Sequence, residues 1–225
     1  VTGTDAGNYT FNTTATTAAD ITARALTVSS TGQNKVYDGT TNATVTLGDN
    51  RVAGDNLSLA GTASFLNKNV GTAKTVNVTG INVTGTDAGN YTFNTTATTA
   101  ADITPRALTV GGIGISRVYD GTTNASVTPT DNRVAGDVLT LTGTPAFADK
   151  HVGTAKTINI TGITVTGTDA GNYTFNTSAT TTADITARAL TVSATGQNKV
   201  YDGTTVATVT LSDNRLAGDT LTLAG

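Results

Sequence analysis

The sequence predicts an all-β chain built of tandem small β-domains, and three observations carry that prediction. The chain repeats itself: residues 1–12 (VTGTDAGNYTFN) recur at 83–94 and 165–176, and residues 36–41 (VYDGTT) recur at 118–123 and 200–205. Both sets advance by 82 residues with no insertion, the signature of an array of like units. Composition favours strands and turns: Thr is about a quarter of the chain, Gly numbers 25, and all 16 acidic residues are Asp. Finally, apolar residues alternate with polar ones at the two-residue period of a half-buried strand.

Within residues 22–103 the elements follow in order. Leu26 and Val28 alternate with Thr27 and Ser29, and Ala43, Val45 and Leu47 with Thr44 and Thr46. Leu57, Leu59, Ala63 and Phe65 hold one phase, with Gly61 midway. Val76 and Val78 share a phase that Ile81 and Val83 reverse, so Thr79-Gly80 reads as a β-bulge or tight bend. Tyr91 and Phe93 form a further strand, and Ala101 and Ile103 close the unit. About seven short strands per repeat suit a small Ig-like β-sandwich. A β-grasp-like sheet with one short helix near residues 50–55 or 86–90 is the alternative.

Boundaries fall at the recurring Asp-Ile-Thr-Ala/Pro-Arg junctions. They divide the chain into the end of a preceding repeat (1–21), complete repeats at 22–103 and 104–185, and the first half of a following repeat (186–225). The two complete copies agree at roughly 72% of positions. A sequence that starts and stops inside a repeat points to a longer array. Val76 and Val78 become Ile158 and Ile160, which keeps the inferred core apolar. Ser29 and Ser30 become Gly111 and Gly112, changes of a solvent-facing kind, whereas Gln33→Ile115 and Leu47→Pro129 point to edges or loops. Between Phe93 and Val110 there is one proline and no glycine. So short a junction predicts a semi-rigid, elongated rod, each unit adding about 40 Å if its strands lie along the axis.

Composition excludes several function classes. Hydrophobic residues are 37% of the chain, net charge is −3, and the charges are scattered singly. No basic patch of the kind nucleic acid needs is present, and no apolar run approaches the length of a membrane helix. Absence of Cys removes disulfides, thiolate metal sites and thiol nucleophiles. No Ser/His/Asp set, zinc-protease motif or phosphate loop occurs, and the single histidine, His151, replaces Asn69 of the preceding copy. The expectation is a protein that is not an enzyme and needs no cofactor.

Two recurring motifs could carry chemistry. Tyr37-Asp38-Gly39, Tyr119-Asp120-Gly121 and Tyr201-Asp202-Gly203 read as structural turns, because Gly accepts positive φ and Asp bonds nearby amides. Asp49, Asp55 and Asp87, with Asp131, Asp137 and Asp169, are weak Ca²⁺ candidates. Their spacing lacks the alternating ligands and distal Glu of an EF-hand.

The residues Lys35-Val36-Tyr37-Asp38-Gly39-Thr40-Thr41, Gly54-Asp55-Asn56-Leu57, Asn69-Val70-Gly71-Thr72-Ala73-Lys74 and Ala88-Gly89-Asn90-Tyr91 resemble, in that order, the YDG-type repeat. That repeat occurs in tandem in very large secreted surface proteins of Gram-negative bacteria, including filamentous-haemagglutinin-like adhesins. The resemblance spans the chain and implies an extracellular, cell-attached stalk, and it transfers no catalytic or ligand residue. Expected partners are neighbouring repeats of the same chain. Like chains in a fibre, or surface glycans bound through repeat avidity, are the alternative, with no nucleic acid and no membrane insertion.

Overall fold

The computed structural model describes residues 1–224; Gly225, the last residue of the following partial repeat, lies outside the described residues. The first repeat contributes β1 (Arg24–Leu26), β2 (Ser29–Gln33), β3 (Lys35–Val36), β4 (Thr44–Gly48), β5 (Ser58–Phe65), β6 (Gly71–Thr84), β7 (Tyr91–Phe93) and β8 (Ala97–Thr104). The second contributes β9 (Arg106–Leu108), β10 (Gly111–Ile115), β11 (Arg117–Val118), β12 (Ser126–Thr130), β13 (Thr140–Phe147), β14 (Gly153–Thr166), β15 (Tyr173–Phe175) and β16 (Ala179–Thr186). β17 (Val192–Gly196) and β18 (Val209–Asp213) belong to the following copy. The only helical elements among the described residues are 3₁₀ turns at Ala6–Asn8, Ala88–Asn90 and Ala170–Asn172. The chain is therefore all-β. Of the two places where the alternative, β-grasp-like reading put its short helix, residues 86–90 hold one 3₁₀ turn and residues 50–55 a turn closed by the Asp55 amide on the Val52 carbonyl.

The chain divides into two compact units, and the division does not follow the 82-residue period. The first unit holds residues 1–34, 41–66 and 73–101; the second holds Lys35–Thr40, Asn67–Thr72 and everything from Asp102 onward. Two short turn segments of the first sequence repeat thus belong with the second.

In the first unit, β5 and β6 pair antiparallel from Ser58↔Thr84 to Phe65↔Val76, with a register shift between Ala60 and Thr62. Opposite that shift Gly80 sits at φ +62°, a conformation that penalises side chains. The bend turns the strand over, so Val76 and Val78 before it and Ile81 and Val83 after it all point inward. Leu26, Val28, Leu57, Val78, Ile81, Val83 and Tyr91 form the core, with Val45, Leu47, Leu59 and Phe93 packed against it. β1 and β7 pair in parallel, and the Asn94 side chain extends the pairing by accepting from the Val28 amide at 2.8 Å and donating to its carbonyl at 3.0 Å.

The second unit repeats the plan with a four-stranded sheet, β11-β16-β14-β13, and separate pairs β9–β15 and β10–β12. Leu108, Val110, Ile158, Ile160, Ile163, Val165 and Tyr173 are buried where their first-repeat equivalents are. Pro129 lies in the two-stranded β10–β12 pair opposite Gly112, an edge strand that can lose one amide donor. One reading needs correction. Position 30 is not simply solvent-facing: the Ser30 hydroxyl is buried without a hydrogen-bond partner, so the glycine at 112 removes a polar atom that has nothing to bond. The β8-to-β9 junction is as short as expected, with Pro105 alone separating the two strands.

Candidate functional site

Three Asp-Gly turns were read as structural, and their local geometry is that of turns. Asp38 Oδ1 accepts from the Thr40 amide at 2.9 Å and from the Lys35 ammonium at 2.8 Å, while Gly39 sits at φ +78°. Asp120 and Asp202 do the same for Thr122 and Thr204. Arg117 replaces Lys35 as the cation of the second turn; its guanidinium and two Thr122 donors hold Asp120 down to about 2.

The tyrosine of the motif does something the local pattern does not announce. In the second unit Tyr37 is 1% exposed. Its hydroxyl lies 3.0 and 2.9 Å from the two oxygens of Asp137, a residue 100 positions further along the chain. Tyr173 donates to the same carboxylate at 2.6 Å and accepts from the Val134 amide at 2.9 Å. The two rings meet edge to face, centroids 5.5 Å apart, a geometry favoured by the ring quadrupoles. Lys68 reaches in over the Tyr37 ring and bridges Asp137 at 2.8 Å and Asp169 at 2.9 Å. Beside them the Val70 amide donates to Asn172 Oδ1 at 2.9 Å, and Asn172 itself is 5% exposed.

Local folding places each part. The parallel pairing of β11 with β16 is matched by β3, where Lys35 and Val36 face Ile103 and Thr104; the Tyr37 amide then donates to the Thr104 carbonyl at 2.9 Å. That pairing aims the ring inward. A Cβ at Gly39 would lie 2.7 Å from Val134 Cγ1, so glycine is needed for close approach as well as for its φ. Asp137 sits on the turn closed by its own amide on the Val134 carbonyl, and Asp169 is held by the Val138 amide.

The electrostatics are self-consistent. Burial opposes ionisation of Asp137, yet donation from Lys68, Tyr173 and Tyr37 outweighs it and holds the carboxyl below its ordinary 3.8. Hydrogen bonding to Asp137, then to Asp169, raises the Lys68 ammonium above its ordinary value. Burial, and then Asp137, pushes the Tyr173 phenol up to about 12. Such an arrangement grips: a fixed anion takes three donors, and breaking a buried charged set costs far more than forming it gains.

The same parts recur 82 residues on. Tyr119 donates to Asp219 at 2.7 Å, and Lys150 lies 3.5 Å from Asp219 and over the Tyr119 ring. Of the weak Ca²⁺ candidates, Asp49 and Asp131 are engaged two-pronged by Arg51 and Arg133, which hold both carboxyls below their ordinary range. Asp55 accepts from Tyr91, and Asp87 from the Asn56 amide. Asp137 and Asp169 do converge on a cation, which is the Lys68 ammonium. No group of three or more possible metal ligands occurs among the described residues, and no helix among them is long and apolar enough to cross a membrane.

Lys68, Asn172 and Tyr173 were not singled out from the sequence as site residues. Their signal was faint: Lys68 and Lys150 stand at one repeat position, and so do Asp137 and Asp219, but nothing in the spacing says that a lysine of one repeat meets an aspartate of the next. A family model described as YDG domain matches residues 22–100 and 104–183. No curated protein and no solved structure matches the chain.

Proposed function

The chain belongs to the YDG domain family, as two tandem copies, and on that premise we propose that it is a non-enzymatic spacer: a run of small β-sandwich domains stacked end to end as a stiff rod. In this reading it is a stalk segment of a bacterial cell-surface adhesin, extracellular, projecting a distal binding region. Its partners are its own neighbouring repeats. The observation that carries the reading is the grip of Tyr37, from the first sequence repeat, by Asp137 and Tyr173 of the second. Its recurrence with Tyr119 and Asp219 supports a mechanism of serial interlocking. Each repeat inserts a tyrosine turn into a polar cradle on the next, and the charged, directional bonds resist bending and sliding as apolar contacts alone do not. The one-residue Pro105 junction supports the same reading, since it leaves almost no free chain.

Small-angle X-ray scattering of the 225-residue chain tests the proposal. A stiff stack of about 2.7 repeats at about 40 Å each gives a radius of gyration near 30 Å. A compact globule of this length gives about 17 Å, and that result overturns the spacer.

A further inference from the structure

The two ends of each repeat lie side by side in parallel. In the second repeat, Arg106, Ala107 and Leu108 of β9 pair with Tyr173, Thr174 and Phe175 of β15. Where that ladder stops, the Asn176 side chain continues it, accepting from the Val110 amide at 2.8 Å and donating to the Val110 carbonyl at 2.9 Å. Further along, a Cβ at Gly114 would stand 2.4 Å from the Thr182 carbonyl oxygen, and the Ser116 hydroxyl accepts from the Asp184 amide at 3.0 Å. Arg117 and Val118 of β11 then pair with Ile185 and Thr186 of β16, and the Tyr119 amide donates to the Thr186 carbonyl at 2.9 Å. These contacts form one seam, along which residues 106–119 and 173–186 run the same way. The first repeat builds it again. Arg24–Leu26 pairs in parallel with Tyr91–Phe93, Asn94 holds Val28 through both backbone groups, and the Gly32 amide donates to the Thr99 hydroxyl at 3.2 Å. Lys35 and Val36 then pair with Ile103 and Thr104.

Parallel pairing of the two ends has a mechanical consequence. The chain enters the second repeat at Arg106 and leaves it at Thr186, and these residues stand at opposite ends of the seam. The seam is about 40 Å long at the ordinary rise of a strand. Tension along the chain draws its first segment backward and its last segment forward, each along its own length. The bonds across the seam are then loaded together, in shear. A hairpin whose two ends leave from the same side opens instead one bond at a time. Residues 120–172, with β12, β13 and β14, lie between the two seam segments in sequence, so tension passes them by until the seam parts.

We propose that this seam is a load-bearing clamp, which keeps each repeat folded when the chain is pulled, and that Asn94 and Asn176 are its staples. Each asparagine adds side-chain bonds at the point where the strand ladder ends. The inference deepens the stalk reading and rests on it for the source of the tension.

Single-molecule pulling of the full chain in optical tweezers is the test. The chain has no cysteine, so an introduced pair gives unique handles. Pro105→Cys with Ala187→Cys loads the second repeat's seam in shear; Pro105→Cys with Gly171→Cys peels the same seam from one end. All three positions are exposed, and a Cβ at Gly171 meets nothing within 4 Å. At equal loading rate the sheared chain is expected to give way in one step at more than about twice the peeling force, because forced rupture follows the barrier to opening. That step frees about 240 Å of chain. Asn176→Ala in the shear pair is expected to shorten the lifetime under a fixed load about tenfold or more. Equal forces in the two geometries, or an Asn176→Ala chain that holds as long as its parent, overturn the proposal. Scattering reads the spacer and pulling geometry reads the clamp: an extended chain with equal forces rejects the clamp alone, and a compact chain with unequal forces rejects the spacer alone.

Discussion

Asp137 is the residue on which the interlock turns, because two phenols and an ammonium all point at one carboxylate. Asp137→Ala leaves those donors without their acceptor. The Lys68 side chain is 35% exposed and can turn to water, which softens the loss. A cost of about 2–4 kcal/mol is expected, read as a lowered urea midpoint at unchanged slope. Tyr37→Phe removes one charged hydrogen bond and is expected to cost about 1–2 kcal/mol. Tyr201→Phe, at an exposed ring, is expected to stay within about 0.5 kcal/mol in a dilute sample. Equal effects at the two tyrosines would contradict the grip.

Acid dependence follows from the same groups. The folded pKa of Asp137 lies below its ordinary 3.8, so as pH falls the unfolded chain takes up its proton first. The stabilisation is complete above pH 3.8 and is lost as pH falls through the folded pKa; Asp120, at about 2, extends the window downward. Urea midpoints are therefore expected to be level from about pH 7 to 5 and to fall below about pH 3.8, less steeply in Asp137→Asn. On the alkaline side the Tyr173 phenol, raised from 10.0 to about 12, contributes stability below pH 10 that is lost as pH rises through 12.

At the scale of elements, the folding-over of β6 and β14 explains why one long strand serves both ends of a small core. Ile158 is fully buried, and Ile158→Ala is expected to cost about 2–5 kcal/mol through lost burial and the cavity left behind. β10 runs so close to β16 that a Cβ at Gly114 would lie 2.4 Å from the Thr182 carbonyl oxygen. Gly114→Ala is therefore expected to lower the thermal midpoint by several degrees, by pushing the two strands apart. An unchanged midpoint would mean the strands are not held at that distance in solution. The Asp49–Arg51 pair and its copies at 131–133 and 213–215 work at this scale too: each arginine also reaches a carbonyl six residues on, tying the turn to the following segment.

For the whole molecule, the mismatch between the 82-residue period and the two compact units is the informative fact. Segments Lys35–Thr40 and Asn67–Thr72 belong to the first repeat in sequence and to the second unit in space. A protein cut to residues 22–103 strands those segments, with Tyr37 and Lys68 unsupported. Residues 22–185 restore their cradle. Differential scanning calorimetry is expected to show the longer segment melting several degrees higher, as nearest-neighbour coupling in repeat arrays requires. Equal midpoints would mean that the repeats are independent. Addition of a metal chelator is expected to leave the parent chain's melting unchanged, since arginine, lysine, tyrosine and amide donors already engage the six candidate aspartates.

Much of the architecture was legible from residues alone. Period-two alternation placed β4 to β8, the phase change at Thr79-Gly80 located the bend, and Asp-Gly marked the turns; the single strand read over Leu26–Ser29 is instead the end of β1 and the start of β2, and β3 at Lys35–Val36 was not read. These are local properties, set by where Cβ atoms point and by the φ that glycine tolerates. The pairing of Tyr37 with Asp137, the bridge from Lys68 to Asp169, and the orphaned hydroxyl of Ser30 were decided by tertiary structure alone. Each depends on groups brought together across many residues, and a sequence pattern records which residues a position allows without recording which distant partner will come to meet it.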